Sequence, residues 1–162
     1  MKCWRSSSEP TAASTWTRFS TSSVLATLEL ARRLLCPKQQ RITFPADVIP
    51  LISHYSDRKQ EHFLCLSLNG AHEVSAIRVV SVGLVNRTVV HPREVYADAL
   101  MDRAAAVIVA HNHPSGNVEP SAEDRDVTAR LKAAGETLGV RLLDHIIFSA
   151  RGYYSFLEKE EV

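Results

Sequence analysis

The chain has no paired cysteines. Cys3, Cys36 and Cys65 stand far apart, and none belongs to a Cys-x-x-Cys pair. An odd count without spacing argues against a disulfide framework and for reduced thiols in a cytoplasmic setting. No run approaches the ~20 apolar residues of a membrane span, so no membrane role is expected. The apolar block of a secretory signal is also missing. Net charge is only +1 over 162 residues, so the molecule as a whole is not built as a polyanion binder. There is no internal repeat, and no nucleophile elbow accompanies Ser115 to suggest a serine hydrolase.

What is present suits a globular protein. The chain is 45% hydrophobic and 23% charged, enough to bury a core without staples. The charge is unevenly spread. Residues 1–46 carry seven Lys/Arg against two acids, and the remainder twelve against sixteen. A basic end of this kind can meet an acidic partner or nucleic acid; the simpler reading is a solvated leader. Residues 1–22 lack apolar periodicity and read as a disordered basic leader. Their Ser/Thr and Arg content partly resembles an organelle transit segment, but a disordered leader or an early start codon has the same composition. Residues 23–39 read as an N-terminal helix, capped by Ser23 and stopped by Pro37.

A short helix is expected near Ala46–Tyr55, with Pro50 tolerable only in its first turn. The period then changes to that of strands. His62–Leu68 is apolar on both faces and closes on Asn69-Gly70, and Glu73–Val82 reads as its hairpin partner. A short strand at Val89–Val90, a helix opened by Pro92 and running to Met101, and a buried strand at Ala105–Ala110 follow. Ser121–Leu138 reads as a helix stopped by Gly139. Val140–Phe148 and Tyr153–Leu157 read as strands about an Arg151-Gly152 turn, and residues 158–162 as a charged, frayed tail. The sum is an α/β domain, a mixed sheet flanked by helices, over residues 40–157.

The informative stretch begins where the Ala105–Ala110 strand ends. His111 and His113 are two apart, so in an extended segment both imidazoles point the same way. Pro114 and Gly116 turn the chain back, and Asp124 is the nearest carboxylate on the following helix. Two imidazoles and a carboxylate leave a fourth tetrahedral position open, as catalytic zinc sites do. Taken alone, Ser121-x-x-Asp124 reads as a helix capping box, and a lone loop histidine as a solvated side chain. Together they make a specific arrangement. Asn112 can orient the loop. A carboxylate base is available at Glu61 or at Glu73, each at the start of a strand, and the residues alone do not choose between them. Asp144-His145 reads either as a hydrogen-bonded pair in the sheet, the favoured reading, or as a partner orienting a ligand histidine. Tyr153, Tyr154 and Phe156 read as sheet packing.

The pattern His111-x-His113, seven residues, Ser121, two residues, Asp124 matches the JAMM motif position by position. The words HNHPSG, EPSAED, LLDHII and YYSF resemble the RadC-type branch of these JAMM (MPN-plus) metallopeptidase-like proteins, over roughly Leu28 to Phe156. The resemblance implies a cytidine-deaminase-like α/β fold with one zinc per chain. It implies His111, His113 and Asp124 as ligands, Ser121 as an oxyanion donor and Glu61 as general base. The implied chemistry is zinc-assisted hydrolysis of a peptide or isopeptide bond. Insertions that grip ubiquitin-like tags are not seen, so the substrate and oligomeric state are open. Two other readings stand beside it. One is a DNA-repair-associated accessory protein that binds nucleic acid and keeps a structural or vestigial zinc. Its longer helical N-terminal region would here be replaced by residues 1–22. The other is an inactive scaffold, disfavoured because every ligand is retained.

Overall fold

The structure, a computed structural model, describes residues 40–83 and 90–162. The leader, the helix expected at 23–39 and Val89 of the expected short strand lie outside the described residues. The described residues belong to one compact unit, Gln39–Val162.

Five strands form one sheet: β1 (Glu61–Leu68), β2 (Val74–Gly83), β3 (Ala106–Asn112), β4 (Arg141–Ser149) and β5 (Gly152–Ser155). Their spatial order is β2-β1-β3-β4-β5. Only β3 and β4 run parallel; the other neighbours are antiparallel. Three helices accompany the sheet: α1 (Ile49–Ile52), α2 (Pro92–Met101) and α3 (Ala122–Leu138). The parallel pair needs a crossover, and α3 supplies it, as βαβ geometry requires. The mixed α/β sheet flanked by helices is therefore as the residue pattern predicts.

The central strands are apolar on both faces because both faces are covered. Phe63, Cys65, Val107 and Val109 pack with Val95, Tyr96 and Leu131 of α2 and α3. Leu64, Leu66, Leu68, Ile108 and Ala110 pack on the other side with Val48 and Ile52. Side chains alternate along a strand, so odd-numbered positions of β1 and β3 face α3. This parity decides where the chemistry sits. Glu61 on β1 and His111 on β3 continue the odd series at one end of the sheet, beside the start of α3.

Helix boundaries follow local chemistry. Pro92 occupies the first turn of α2, and the His91 side chain caps it by accepting from Arg93 N–H at 3.2 Å. Gly139 adopts φ 71° beyond the end of α3, and Val140 N–H closes on the Gly135 carbonyl. A left-handed residue there is the usual glycine stop.

Some segments differ from the sequence pattern. The helix expected at Ala46–Tyr55 is broken into a 3-10 turn at Pro45–Asp47, the four-residue α1 and a second 3-10 turn at Ser53–Tyr55. Pro50 falls in the first turn of α1, where its missing N–H is harmless. β3 runs two residues past Ala110, because its ladder with β1 pairs Phe63 with His111 and its ladder with β4 pairs Asn112 with Phe148. The terminal residues are held instead of frayed. Glu161 accepts from Arg125 and from Tyr154, the latter at 2.7 Å, and its N–H donates to Phe156 O. Among the described residues no helix is long and apolar enough to cross a membrane.

Candidate metal centre

His111 is the penultimate residue of β3, a strand buried along its whole length, and is only 4% exposed. His113 follows just outside the strand, where its N–H donates to Phe148 O of β4. Beyond it the chain turns. Gly116 N–H donates to His113 O at 3.0 Å, with Pro114 inside the turn and Gly116 at φ 81°. That positive φ favours glycine. The turn returns the chain to α3, whose first residues face the histidines.

Three side chains converge. His111 Nε2 and His113 Nε2 are 3.0 Å apart, and His111 Nε2 is 3.2 Å from Asp124 Oδ1. His113 Nε2 is 3.8 Å from Asp124 Oδ2. A tetrahedral cation with ~2.0–2.1 Å bonds places its ligand atoms roughly 3.3–3.5 Å apart. The three separations straddle that edge, and no other group of three or more His, Cys, Asp or Glu among the described residues is as closely gathered. The donor chemistry fits as well. His113 Nδ1 lies 2.6 Å from Asn117 O; it can only donate to a carbonyl, which leaves Nε2 with its lone pair toward His111. Burial, and secondarily the neighbouring His111, lower the pKa of His113 and keep it in the neutral form a metal requires.

Asp124 does two things at once. Ser121 N–H and Ser121 Oγ–H both donate to Asp124 Oδ2, at 2.8 and 2.6 Å, and Asp124 N–H donates back to Ser121 Oγ. This is a complete capping box. The other oxygen, Oδ1, faces His111. The cap and the candidate ligand are thus compatible, because a carboxylate has two oxygens and the helix needs one. Burial opposes ionisation of Asp124, but contacts with His111 and Ser121 outweigh it and hold the carboxyl well below its ordinary range. Ser121 lines the cleft. Its hydroxyl proton is given to Asp124, however, so it is not aimed as a free oxyanion donor here.

Glu61 stands across from these groups. Its Oε1 is 3.7 Å from His113 Nε2, and its side chain is 13% exposed. Burial chiefly raises its pKa, with Asp124 adding and His111 opposing. Glu73 is excluded as the base. It lies beyond Val74, which pairs with Leu68, whereas Glu61 pairs with Gly83. Seven residue steps along β1 put the two carboxylates roughly 23 Å apart. Glu73 accepts from Asn69 instead.

Three supporting residues complete the site. Asn112 is fully buried. Its Oδ1 accepts from His62 N–H at 2.7 Å, and its Nδ2 donates to Gln60 O at 3.1 Å, so it clamps the backbone on both sides of Glu61. The sequence places Asn112 between the histidines but does not show that clamp. His145 and Thr128 are also buried. His145 Nε2 lies 2.9 Å from His111 Nδ1, and its Nδ1 lies 2.6 Å from Thr128 Oγ1. This corrects the favoured reading of Asp144-His145 as one sheet pair. His145 reaches His111, while Asp144 accepts from Ser155 Oγ and Leu157 N–H. The i, i+4 spacing of Asp124 and Thr128 on one helix face is a signal that could have pointed to Thr128.

The groups border a cleft of about 710 Å³ whose walls also include Phe63, Val90 and Ser115. That is room for a peptide-sized segment.

Comparison with known proteins bears on the domain as a whole. Residues 42–161 match the family model described as "RadC-like JAB domain". The chain is 50% identical over 131 residues to a UPF0758 protein of Methanospirillum hungatei, covering 78% of this chain and 58% of that protein. It is 46% identical over 139 residues to one of Rubrobacter xylanophilus, covering 83% and 61%. It is 45% identical over 140 residues to one of Bacillus licheniformis, covering 84% and 62%. The chain therefore spans about three fifths of the length of these relatives. A match over most of the chain, together with the histidine pair, the capped aspartate and the sheet that joins them, makes this protein a member of the RadC-like JAB domain family.

Proposed function

We propose that this domain is a zinc-dependent hydrolase of peptide or isopeptide bonds. The observation that carries the reading is the convergence of His111 Nε2, His113 Nε2 and an Asp124 oxygen within 4.8 Å of one another, with a largely buried carboxylate, Glu61, beside them. In this reading His111, His113 and Asp124 hold one zinc. When bound, the ion supplies a Lewis acid that acidifies water and polarises a carbonyl.

The chain's own residues do the rest. Glu61 sits 3.7 Å from His113, on the open side of the ligand group, where it can accept a proton from a water and return it to a leaving amine. Its raised pKa suits a base that must also act as an acid near neutral pH. Asn112 holds the strand start on which Glu61 depends. Phe63 and Val90 exclude water from the inner wall of the cleft, which strengthens charge interactions inside it. Ser121 orders Asp124, and it contributes to oxyanion binding only by releasing that carboxylate and turning toward the substrate.

Elemental analysis of purified protein tests the reading. One zinc per chain is expected in the wild type and in Glu61→Gln, with a large loss in His113→Ala. Hydrolysis of an amide or isopeptide probe is expected in the wild type and absent in Glu61→Gln. A wild type without zinc, or His113→Ala with unchanged zinc, would overturn it.

A further inference from the structure

Three buried side chains form a hydrogen-bonded line that starts and ends on candidate ligands. Thr128 Oγ1 lies 2.6 Å from the backbone carbonyl of Asp124 and 2.6 Å from His145 Nδ1. His145 Nε2 lies 2.9 Å from His111 Nδ1. Residue exposures along the line are 3% for Thr128, 0% for His145 and 4% for His111. Phe63 and Phe156 flank the His145 ring, the latter stacked on it with centroids 4.9 Å apart. Among these contacts His145 meets no carboxylate side chain, and both its nitrogens are used within the line.

Two proton arrangements satisfy a neutral line. In the first, the threonine hydroxyl donates to the Asp124 carbonyl, His145 Nδ1–H donates to Thr128, and His111 Nδ1–H donates to His145 Nε2. His111 Nε2 is then bare. In the second, every proton is reversed: Thr128 donates to His145, His145 donates to His111, and His111 Nε2 carries hydrogen toward Asp124. The contact at the far end decides between them. A carbonyl oxygen has no proton to give, so a 2.6 Å approach of Thr128 Oγ1 to Asp124 O is attractive only if the hydroxyl donates there. That favours the first arrangement, and a cation among the ligands requires it: at the other end a bare His111 Nε2 faces Asp124 Oδ1 at 3.2 Å and His113 Nε2 at 3.0 Å, an approach of lone pairs that becomes attractive only with a metal between them. Tautomers follow from the network in this way because each ring nitrogen takes the role its partner leaves.

We infer that Thr128 and His145 are positioning residues that fix the His111 tautomer, keeping its Nε2 lone pair directed at the metal position. The inference deepens the proposed function and rests on it for the identity of the ligand. The line also explains why a buried threonine sits one turn beyond Asp124 on α3, facing the sheet. It ties the backbone of one ligand residue to the imidazole of another, so the helix start and the end of β3 are held together by polar groups with fixed donor directions. Removing such an outer partner of a metal ligand typically costs about 10–100-fold in metal affinity.

The test uses the full chain. Long-range proton–nitrogen correlation spectra of histidine-labelled wild type are expected to show His145 protonated at Nδ1 and bare at Nε2 once zinc is added. Thr128→Val keeps the shape and removes the hydroxyl; it is expected to lose that signature and to bind zinc about 10–100-fold more weakly in competition with a chromogenic chelator. Thr128→Ser, which keeps the hydroxyl, is expected to restore both. A zinc-loaded wild type with His145 protonated at Nε2 overturns the inference. So does Thr128→Val binding zinc as tightly as the wild type. A wild type that binds no zinc defeats the proposed function, whereas zinc held equally well by the wild type and Thr128→Val defeats the inference alone.

Discussion

Asp124→Asn and Ser121→Ala separate the two roles that Asp124 combines. The asparagine substitution keeps an amide oxygen able to accept from Ser121 N–H and leaves the Asp124 backbone N–H on Ser121 Oγ, so both bonds of the capping box survive. It does not keep the negative charge facing His111. Ser121→Ala does the reverse: Asp124 N–H loses its acceptor at 3.1 Å, but the carboxylate remains. Loss of an N-cap costs about 1 kcal/mol, which for a domain of this size is roughly 4 °C in Tm. Zinc bound at a thousand times its Kd adds about 4 kcal/mol to the folded state, or roughly 15 °C by the same conversion. Melting curves recorded in chelator and in excess zinc should therefore form a pattern. The wild type gains roughly 15 °C with zinc. Ser121→Ala starts about 4 °C lower and keeps most of that gain. Asp124→Asn starts near the wild type in chelator and loses most of the gain. If Asp124→Asn melts well below the wild type in chelator and keeps the full zinc shift, the aspartate is only a helix cap and the reasoning about its second oxygen is wrong.

Three further outcomes follow from named contacts. Gly135→Ala should destabilise by about 1–2 kcal/mol in urea unfolding: a Cβ there would run into the Tyr96 hydroxyl and the Val140 carbonyl, and overpacking of ~1–3 kcal/mol outweighs the better helix propensity of alanine. A gain in stability would show that α2 shifts freely. Asn112→Ala removes the acceptor of His62 N–H and the donor to Gln60 O, so it should cost about 2–4 kcal/mol and lower kcat even under conditions where the protein stays folded. As for pH, Glu61 acts as base only when ionised, and burial raises its pKa above the ordinary 4.5. In metal-free protein the Glu61 carboxyl, followed by carbon-13 NMR, should accordingly titrate above 4.5; a titration at or below that value would show that burial does not govern this group.

Much of the architecture was legible because burial on both faces leaves a strong trace. Phe63-Leu-Cys-Leu and Ala106-Val-Ile-Val have apolar side chains at every position, and the structure buries every one. Helix ends were legible where a single residue decides them, as Pro92 and Gly139 do. What the pattern could not show is where ladders end. β3 was expected to stop at the last apolar residue, but backbone pairing with β1 and β4 carries it through His111 and Asn112. The tail was misread for a related reason: its charged residues looked solvated, yet Glu161 finds Arg125 and Tyr154, contacts made across sequence separations that no local pattern records.

The candidate site was readable in its ligands and not in its supports, and a single register shift explains why. Along β3 the odd residues face α3, and Val107 is paired with Leu142 of β4. Counted straight on from there, Asp144 would sit beside Val109 on the site face and His145 would turn away. The ladder skips Leu143 instead, so that Ile108 pairs with Asp144 and Val109 with His145. A one-residue slip exchanges the two faces of every residue that follows. It brings the imidazole, and not the carboxylate, to His111, and sends Asp144 to the β5 turn, where Ser155 and Leu157 satisfy it. An acid at that position would offer acceptors only and would hold His111 Nδ1–H more strongly, adding a negative charge beside a site that already has Glu61 and Asp124. The neutral histidine orients His111 without that charge. Sequence spacing names Asp144 and His145 as neighbours; only the slipped ladder says which of them serves the metal position.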